Sequence, residues 1–199
     1  MIGYFTFGYL IINWISRGRS FFYDVSIGID SQIPFIPVFI LGYILVYLSV
    51  VFVYIAIKDR TDWLRAVVSF LLATTLAYII FLLFPVKMNM RPELSQLSGT
   101  YIAITRVYYF IDLPYNCFPS LHVTYPLLAT FVSFRNHHIM RWVFLAMTII
   151  VAISVIIVKQ HYIADVIGGI LNASLCFWLT VKTEKIWMKW FTPSNVLRS

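Results

Sequence analysis

From Ile33 to Ile57 the chain carries no charged side chain, and Trp63–Phe84, Met140–Val158 and Tyr162–Val181 come close to the same condition. A hydrocarbon layer about 30 Å thick is crossed by about 20 helical residues. Backbone N–H and C=O groups in lipid have to be paired within their own segment, which these runs satisfy as helices. The chain is 61% hydrophobic and 12% charged, well below the roughly 25% charged residues of a soluble domain. The predicted class is an all-α polytopic membrane protein forming a single domain over residues 1–199.

Two shorter apolar segments, Tyr4–Ile15 and Pro119–Phe134, raise the predicted number of transmembrane helices to six. The first is brief for a span and ends at Arg17-Gly18-Arg19. It lacks a positive leader and a small-residue cleavage site, so it reads as a retained helix and not a signal peptide. Pro34 and Pro37 open the second segment, where a missing N–H costs little. Lys58-Asp59-Arg60-Thr61-Asp62 is a charged connector, with Asp62 the expected N-cap of the third helix. The residues between Lys87 and Phe118 form the longest polar interval. A structureless loop of that length is unusual in a compact domain, so it is expected to be folded and functional. Within it, Tyr101–Ile111, with its tyrosines and Arg106, suits a helix lying in the membrane interface.

The 15 Lys and Arg against 8 Asp and Glu give a net charge of +7. These cations gather in the connectors and in the basic tail 183–199, and form no aromatic-laced basic face, which argues against nucleic-acid binding. With both termini cytoplasmic, Lys58, Arg60, Arg65, Arg135, Arg141 and the tail cations lie inside and outnumber the basic residues outside. The long interval and the starts of the fourth and sixth segments then share the external face. Cys117 and Cys176 form no disulfide framework, and neither belongs to a pair with metal-ligand spacing. No metal and no cofactor is predicted. His137-His138 reads as polar connector, and Gly168-Gly169 as a site of close helix packing.

Two histidines sit where helices are expected to begin. His161 precedes Asp165 by four residues, so on a helix the carboxylate takes a hydrogen bond from one ring nitrogen and leaves the other free to attack phosphorus. The same spacing also serves a structural tie between helices. Ionisable groups within membrane segments are costly, which makes the pair a functional candidate. His122 follows Pro119-Ser120-Leu121 in the first turn of the fourth segment. Unpaired N–H groups there favour an anion, and the Ser120 hydroxyl adds a donor. A histidine at this point can protonate a leaving alkoxide and then activate water, although an interfacial histidine beside an ordinary cap looks the same in sequence. Arg91 offers a planar fork matched to phosphate oxygens and Lys87 adds a point charge; both also suit a head-group surface. Tyr108, Tyr115 and Asn116 are candidates to line the entrance.

Pro119-Ser120-Leu121-His122, followed by Ser154, His161 and Asp165 in that order and spacing, resembles the type 2 phosphatidic acid phosphatase superfamily. The resemblance covers Arg91-Pro92 to Gly169 and implies a six-helix membrane lipid phosphatase or phosphotransferase. It implies that His161 is the nucleophile, that His122 is the acid and base, and that Asp165 orients His161. Arg91 and Ser120 would bind phosphate. The family's first motif has lysine seven residues before the arginine, where this chain has Phe84, and Lys87 is only four before. Its third motif has arginine after the serine, where this chain has Val155. Lys159, one turn on along a continued helix, would replace that cation, and Lys159→Ala would then cost at least tenfold in activity. Leu121, Lys159-Gln160-His161-Tyr162 and the trailing Asp165-Val166-Ile167-Gly168-Gly169 resemble the inositol phosphorylceramide synthase branch, whose members pass a phospho-head group to an alcohol.

Hydrolysis of a lipid phosphate through a phosphohistidine is therefore the expected activity, with transfer to an alcohol as the alternative. A non-catalytic transporter or scaffold is the rival of a different class. The expected partners are a lipid phosphate and the surrounding membrane lipids. The expected setting is a bacterial plasma membrane with the site facing outward.

Overall fold

The computed structural model describes residues 2–134 and 139–191, and among these the regular secondary structure is entirely helical. The helices are α1 (Ile2–Arg17), α2 (Gly28–Gln32), α3 (Ile40–Ala56), α4 (Arg60–Leu83), α5 (Thr100–Ile111), α6 (Leu121–Ser133), α7 (Met140–Ile157), α8 (Ile163–Lys182) and α9 (Glu184–Phe191). His137-His138 and the end of the basic tail lie outside the described residues.

Among the described residues, four helical stretches are long and apolar enough to cross a membrane: Pro37–Ala56, Arg60–Leu83, Met140–Ile157 and Ile163–Lys182. The expected six is not confirmed by that measure, since α1 has 16 residues and α6 has 13, both short of the roughly 20 that span a layer of about 30 Å unaided. The four long helices fit a multi-pass membrane protein. Their lipid-facing sides stay apolar, with Leu41, Ile55, Leu83, Ile149 and Leu171 all exposed.

The short α6 is the hub, touching α3, α4, α7 and α8. Val123, Thr124, Leu128, Ala129 and Val132 along it are fully buried. The single proton of Thr124 Oγ1 is directed at backbone, with Ser120 O and Gly169 O as acceptors at 2.9 and 3.0 Å. Gly169 allows that approach, because a Cβ there would stand 2.5 Å from Ser120 O. A Cβ on Gly168 would likewise stand 2.5 Å from the Phe118 ring. Close helix packing at Gly168-Gly169 is thus observed.

Asp59, and not Asp62, caps α4: its Oδ1 accepts from the Asp62 N–H at 2.9 Å. The helix begins two residues into the charged connector, at Arg60, so Asp62 falls at the third helical position. There it pairs with Arg65, which also grips Glu184 of α9 with two hydrogen bonds.

The long polar interval is folded. Its two arms run side by side, with Met88 N–H donating to Pro114 O at 2.9 Å and Cys117 N–H to Val86 O at 3.2 Å. α5 forms where the interfacial helix is expected and leaves Phe110 and Ile111 exposed. The exposed Arg106 donates through its guanidinium to the Leu94 and Leu97 carbonyls and ties the loop to α5.

Candidate active site

The connection between α7 and α8 brings the histidines together. α7 ends at Ile157, Lys159 adopts a left-handed φ of 53°, and the N–H groups of Gln160 and His161 both return to Val155 O. This reversal starts α8 within reach of the start of α6, and Ser120 N–H donates to Asp165 O at 3.0 Å. Two helix N-termini therefore meet, each carrying one histidine.

Asp165 Oδ2 accepts from Tyr162 N–H at 2.9 Å and lies 3.2 Å from His161 Nδ1. With the Nδ1 proton held by the carboxylate, His161 Nε2 carries the lone pair. That nitrogen lies 3.0 Å from His122 Nδ1. Phosphorus and its oxygens do not fit between nitrogens so close, so a phosphate has to displace this hydrogen bond and take its place. His161 and Asp165 are buried, and the His122 side chain is 16% exposed.

Sequence reasoning missed the groups behind His122. Its Nε2 lies 2.9 Å from the Tyr43 hydroxyl and 3.3 Å from Asp112 Oδ2. Asp112 ends α5 and is buried. Its carboxylate accepts from Tyr9 of α1, from Tyr43 of α3 at 2.7 Å and from Gln160 Nε2 at 2.6 Å. Burial alone pushes the Asp112 carboxyl upward in pKa. The His122 imidazole and the two tyrosine hydroxyls outweigh that and hold it well below the usual carboxylate range. A signal was available: Asp112 is the single acidic residue between Glu93 and Asp165 in a chain with 8 in all.

Arg91 stacks on the Tyr109 ring, 4.2 Å from its centroid, and donates through Nη2 to Asp112 O at 2.8 Å and to Gln160 Oε1. Its buried Nε has no hydrogen-bond partner, and neither does the buried Ser120 Oγ. Buried polar groups are seldom left unpaired. These two donors are suited to anionic oxygens.

The remaining candidates fall elsewhere. Lys87 Nζ lies over the rings of Phe22 and Tyr115, 5.9 and 5.6 Å from their centroids. Lys159 cannot extend the face of α7, because the helix has ended; its buried ammonium donates to Asp30 O at 2.7 Å. Asp30 also accepts from Ile163 N–H at 3.0 Å, securing the first turn of α8. Ser154 does not line the site. Its Oγ sits at the α3–α7 crossing, where a Cβ on Gly42 would come within 2.1 Å of it. Tyr108 packs edge-on against Tyr43, and Asn116 is bonded to Asn13 and Ser16 of α1.

Cys117 Sγ, a ring nitrogen of His161 and a carboxylate oxygen of Asp165 lie within 4.8 Å of one another, a proximity the cysteine spacing does not reveal. Burial, with the nearby Asp165 charge, raises the Cys117 thiol well above its usual pKa. Both cysteines are free.

A cavity of about 470 Å³ opens beside the two histidines. His122, His161, Asp112 and Gln160 form its polar end, and Tyr115 and Asn116 also face it. From there it runs between α1, α3, α4 and α6 past Val46, Val50, Phe70 and Phe81 to Thr74 and Tyr125. Its walls are mostly apolar, and the rim residues Leu10 of α1 and Val51 of α3 are more than half exposed on the outer surface.

Fold and site together define a multi-pass helical membrane protein with two facing imidazoles, each backed by a carboxylate, at the mouth of an apolar cavity. A family model described as the PAP2 superfamily matches residues 33–179, and the chain belongs to that superfamily. Its members are generally phosphoesterases, so membership suggests phosphatase or phosphotransferase activity. Neither the curated proteins nor the solved structures include a match to this chain.

Proposed function

We propose that the protein is a membrane lipid phosphatase working through a phosphohistidine at His161. The observation that carries this reading is the continuity of site and cavity: a His161–Asp165 pair, with Nε2 turned towards His122, opens directly into an apolar space within the helical layer. A substrate with a phosphate head and a hydrocarbon tail matches both ends. The phosphate displaces the His122–His161 hydrogen bond and takes donors from Ser120 Oγ and Arg91 Nε. His161 Nε2 forms the bond to phosphorus while the phosphorus–oxygen bond to the lipid breaks. His122 Nδ1 gives its proton to the departing oxygen. Water then attacks the phosphohistidine, its proton passing to His122 as the bond to nitrogen breaks.

Charge compensation comes from the arginine and the start of α6, so the scheme needs no metal. The active face is the one that holds the long interval, facing the exterior, with the termini cytoplasmic. The inositol phosphorylceramide synthase-like motif sequence keeps transfer to an alcohol as the second reading, since an alcohol replaces water in the second step without any change of residues.

The test is product analysis of the purified protein with a panel of lipid phosphates in detergent and EDTA, with and without alcohol acceptors. Phosphate release that persists in EDTA and disappears in His161→Ala is expected. A new phospholipid formed only with acceptor would establish transfer. Equal products from wild type and His161→Ala would overturn the catalytic reading, and loss in EDTA restored by magnesium would overturn the metal-free scheme.

A further inference from the structure

We infer that Asp112 is a positioning residue for His122, so that the site holds two opposed carboxylate–imidazole pairs, one serving the nucleophile and one the general acid. The inference rests on the proposed function, in which His122 protonates the departing oxygen.

The hydrogen bonds around His122 assign its protons. Asp112 can only accept, and Tyr43 donates its one proton to Asp112 Oδ2 at 2.7 Å. The Tyr43 oxygen is then left to accept, and the group beside it is His122 Nε2 at 2.9 Å. Nε2 therefore carries hydrogen, shared between Tyr43 and Asp112 Oδ2 at 3.3 Å. On the opposite side of the ring, Nδ1 faces His161 Nε2 at 3.0 Å, and one proton is shared across that contact. Without the Nε2 proton, a ring lone pair would face a carboxylate oxygen across 3.3 Å. The arrangement thus fixes the ring through its Nε2–H and leaves Nδ1, the nitrogen that exchanges the proton, facing the phosphoryl position.

Asp112 is itself rigidly held. Tyr9, Tyr43 and Gln160 donate to its two oxygens from α1, α3 and the α7–α8 turn. Gln160 is in turn gripped by Arg91, which also binds the Asp112 carbonyl. One clamp therefore joins the phosphate-binding guanidinium to the partner of the acid. A buried carboxylate with three donors and an adjacent imidazole has no freedom to turn away, which is what orienting an acid requires.

The experiment compares two esters that differ in their need for an acid. Dodecyl phosphate leaves as a strongly basic alkoxide and requires a proton; para-nitrophenyl phosphate leaves as a stabilised phenolate and does not. Asp112→Asn should lower kcat for dodecyl phosphate by about a hundredfold, the scale of general acid catalysis. For para-nitrophenyl phosphate the loss should stay within about fivefold. Tyr43→Phe, which removes the bridging hydroxyl and keeps the ring, should show the same selectivity to a smaller degree and covers the case in which Asp112→Asn fails to fold. Equal losses on both esters would reduce Asp112 to a structural role and overturn the inference, as would no loss on either. His161→Ala must abolish both reactions. If it does not, or if wild type is inert towards both esters, the functional reading itself falls and the inference with it.

Discussion

Lys159 shows how a single backbone angle decides what a side chain does. Had α7 continued past Ile157, its ammonium would have lain one turn beyond Val155 and taken the place of the motif's missing arginine. The left-handed turn at Lys159 instead sends it to the Asp30 carbonyl, where it secures the loop that caps α8. Lys159→Ala is accordingly expected to lower the melting temperature in detergent while leaving kcat within about threefold. A loss of tenfold or more at unchanged stability would restore it to the phosphate site. His161 and Asp165 were legible at this scale because their partnership is local, four residues apart on one helix. Asp112 was not, because its partners come from residues 9, 43, 122 and 160, and no local pattern joins those positions.

At the scale of helices, the site depends on how closely α6 and α8 approach. Gly169 is the point of contact, and Ser120 and Asp165 are joined there by a backbone hydrogen bond. Gly169→Ala places a methyl 2.5 Å from the Ser120 carbonyl, a distance only helix movement can relieve. Overpacking of this kind costs about 1–3 kcal/mol. The variant should melt at lower temperature and lose at least tenfold in turnover as His122 and His161 move apart. Wild-type turnover would show that the separation of the two helix starts is not critical. Long apolar helices were readable from hydropathy, since each declares itself within its own residues. The shortness of α6 was readable too, in an apolar segment running only from Pro119 to Phe134; its burial by four neighbouring helices in place of lipid was not.

Taken whole, the molecule couples a buried polar cluster to an apolar cavity walled by helices distant in sequence. α1, which precedes the matched residues 33–179, supplies Tyr4, Phe5, Thr6, Tyr9 and Leu10 to that wall and Tyr9 to the Asp112 clamp. If the cavity holds the hydrocarbon chain, kcat/KM for alkyl phosphates should rise by up to about fourfold per added methylene, following about 0.8 kcal/mol of burial each, and level off once the cavity is full. Val50→Trp should bring that plateau to shorter chains. A flat dependence on chain length in the wild type would remove the cavity from substrate binding.

Hydropathy and motif spacing by themselves determined the helical membrane class, the His161–Asp165 pair and the placement of His122 at a helix start. Each of those follows from residues within a few turns of one another. Only the tertiary structure decided that Asp112, Tyr43, Tyr9 and Gln160 stand behind His122, that Lys159 turns to Asp30, and that the cavity ends at the histidines. Those contacts join segments far apart along the chain, and they exist only because a short central helix, buried on every side, brings the segments to one point.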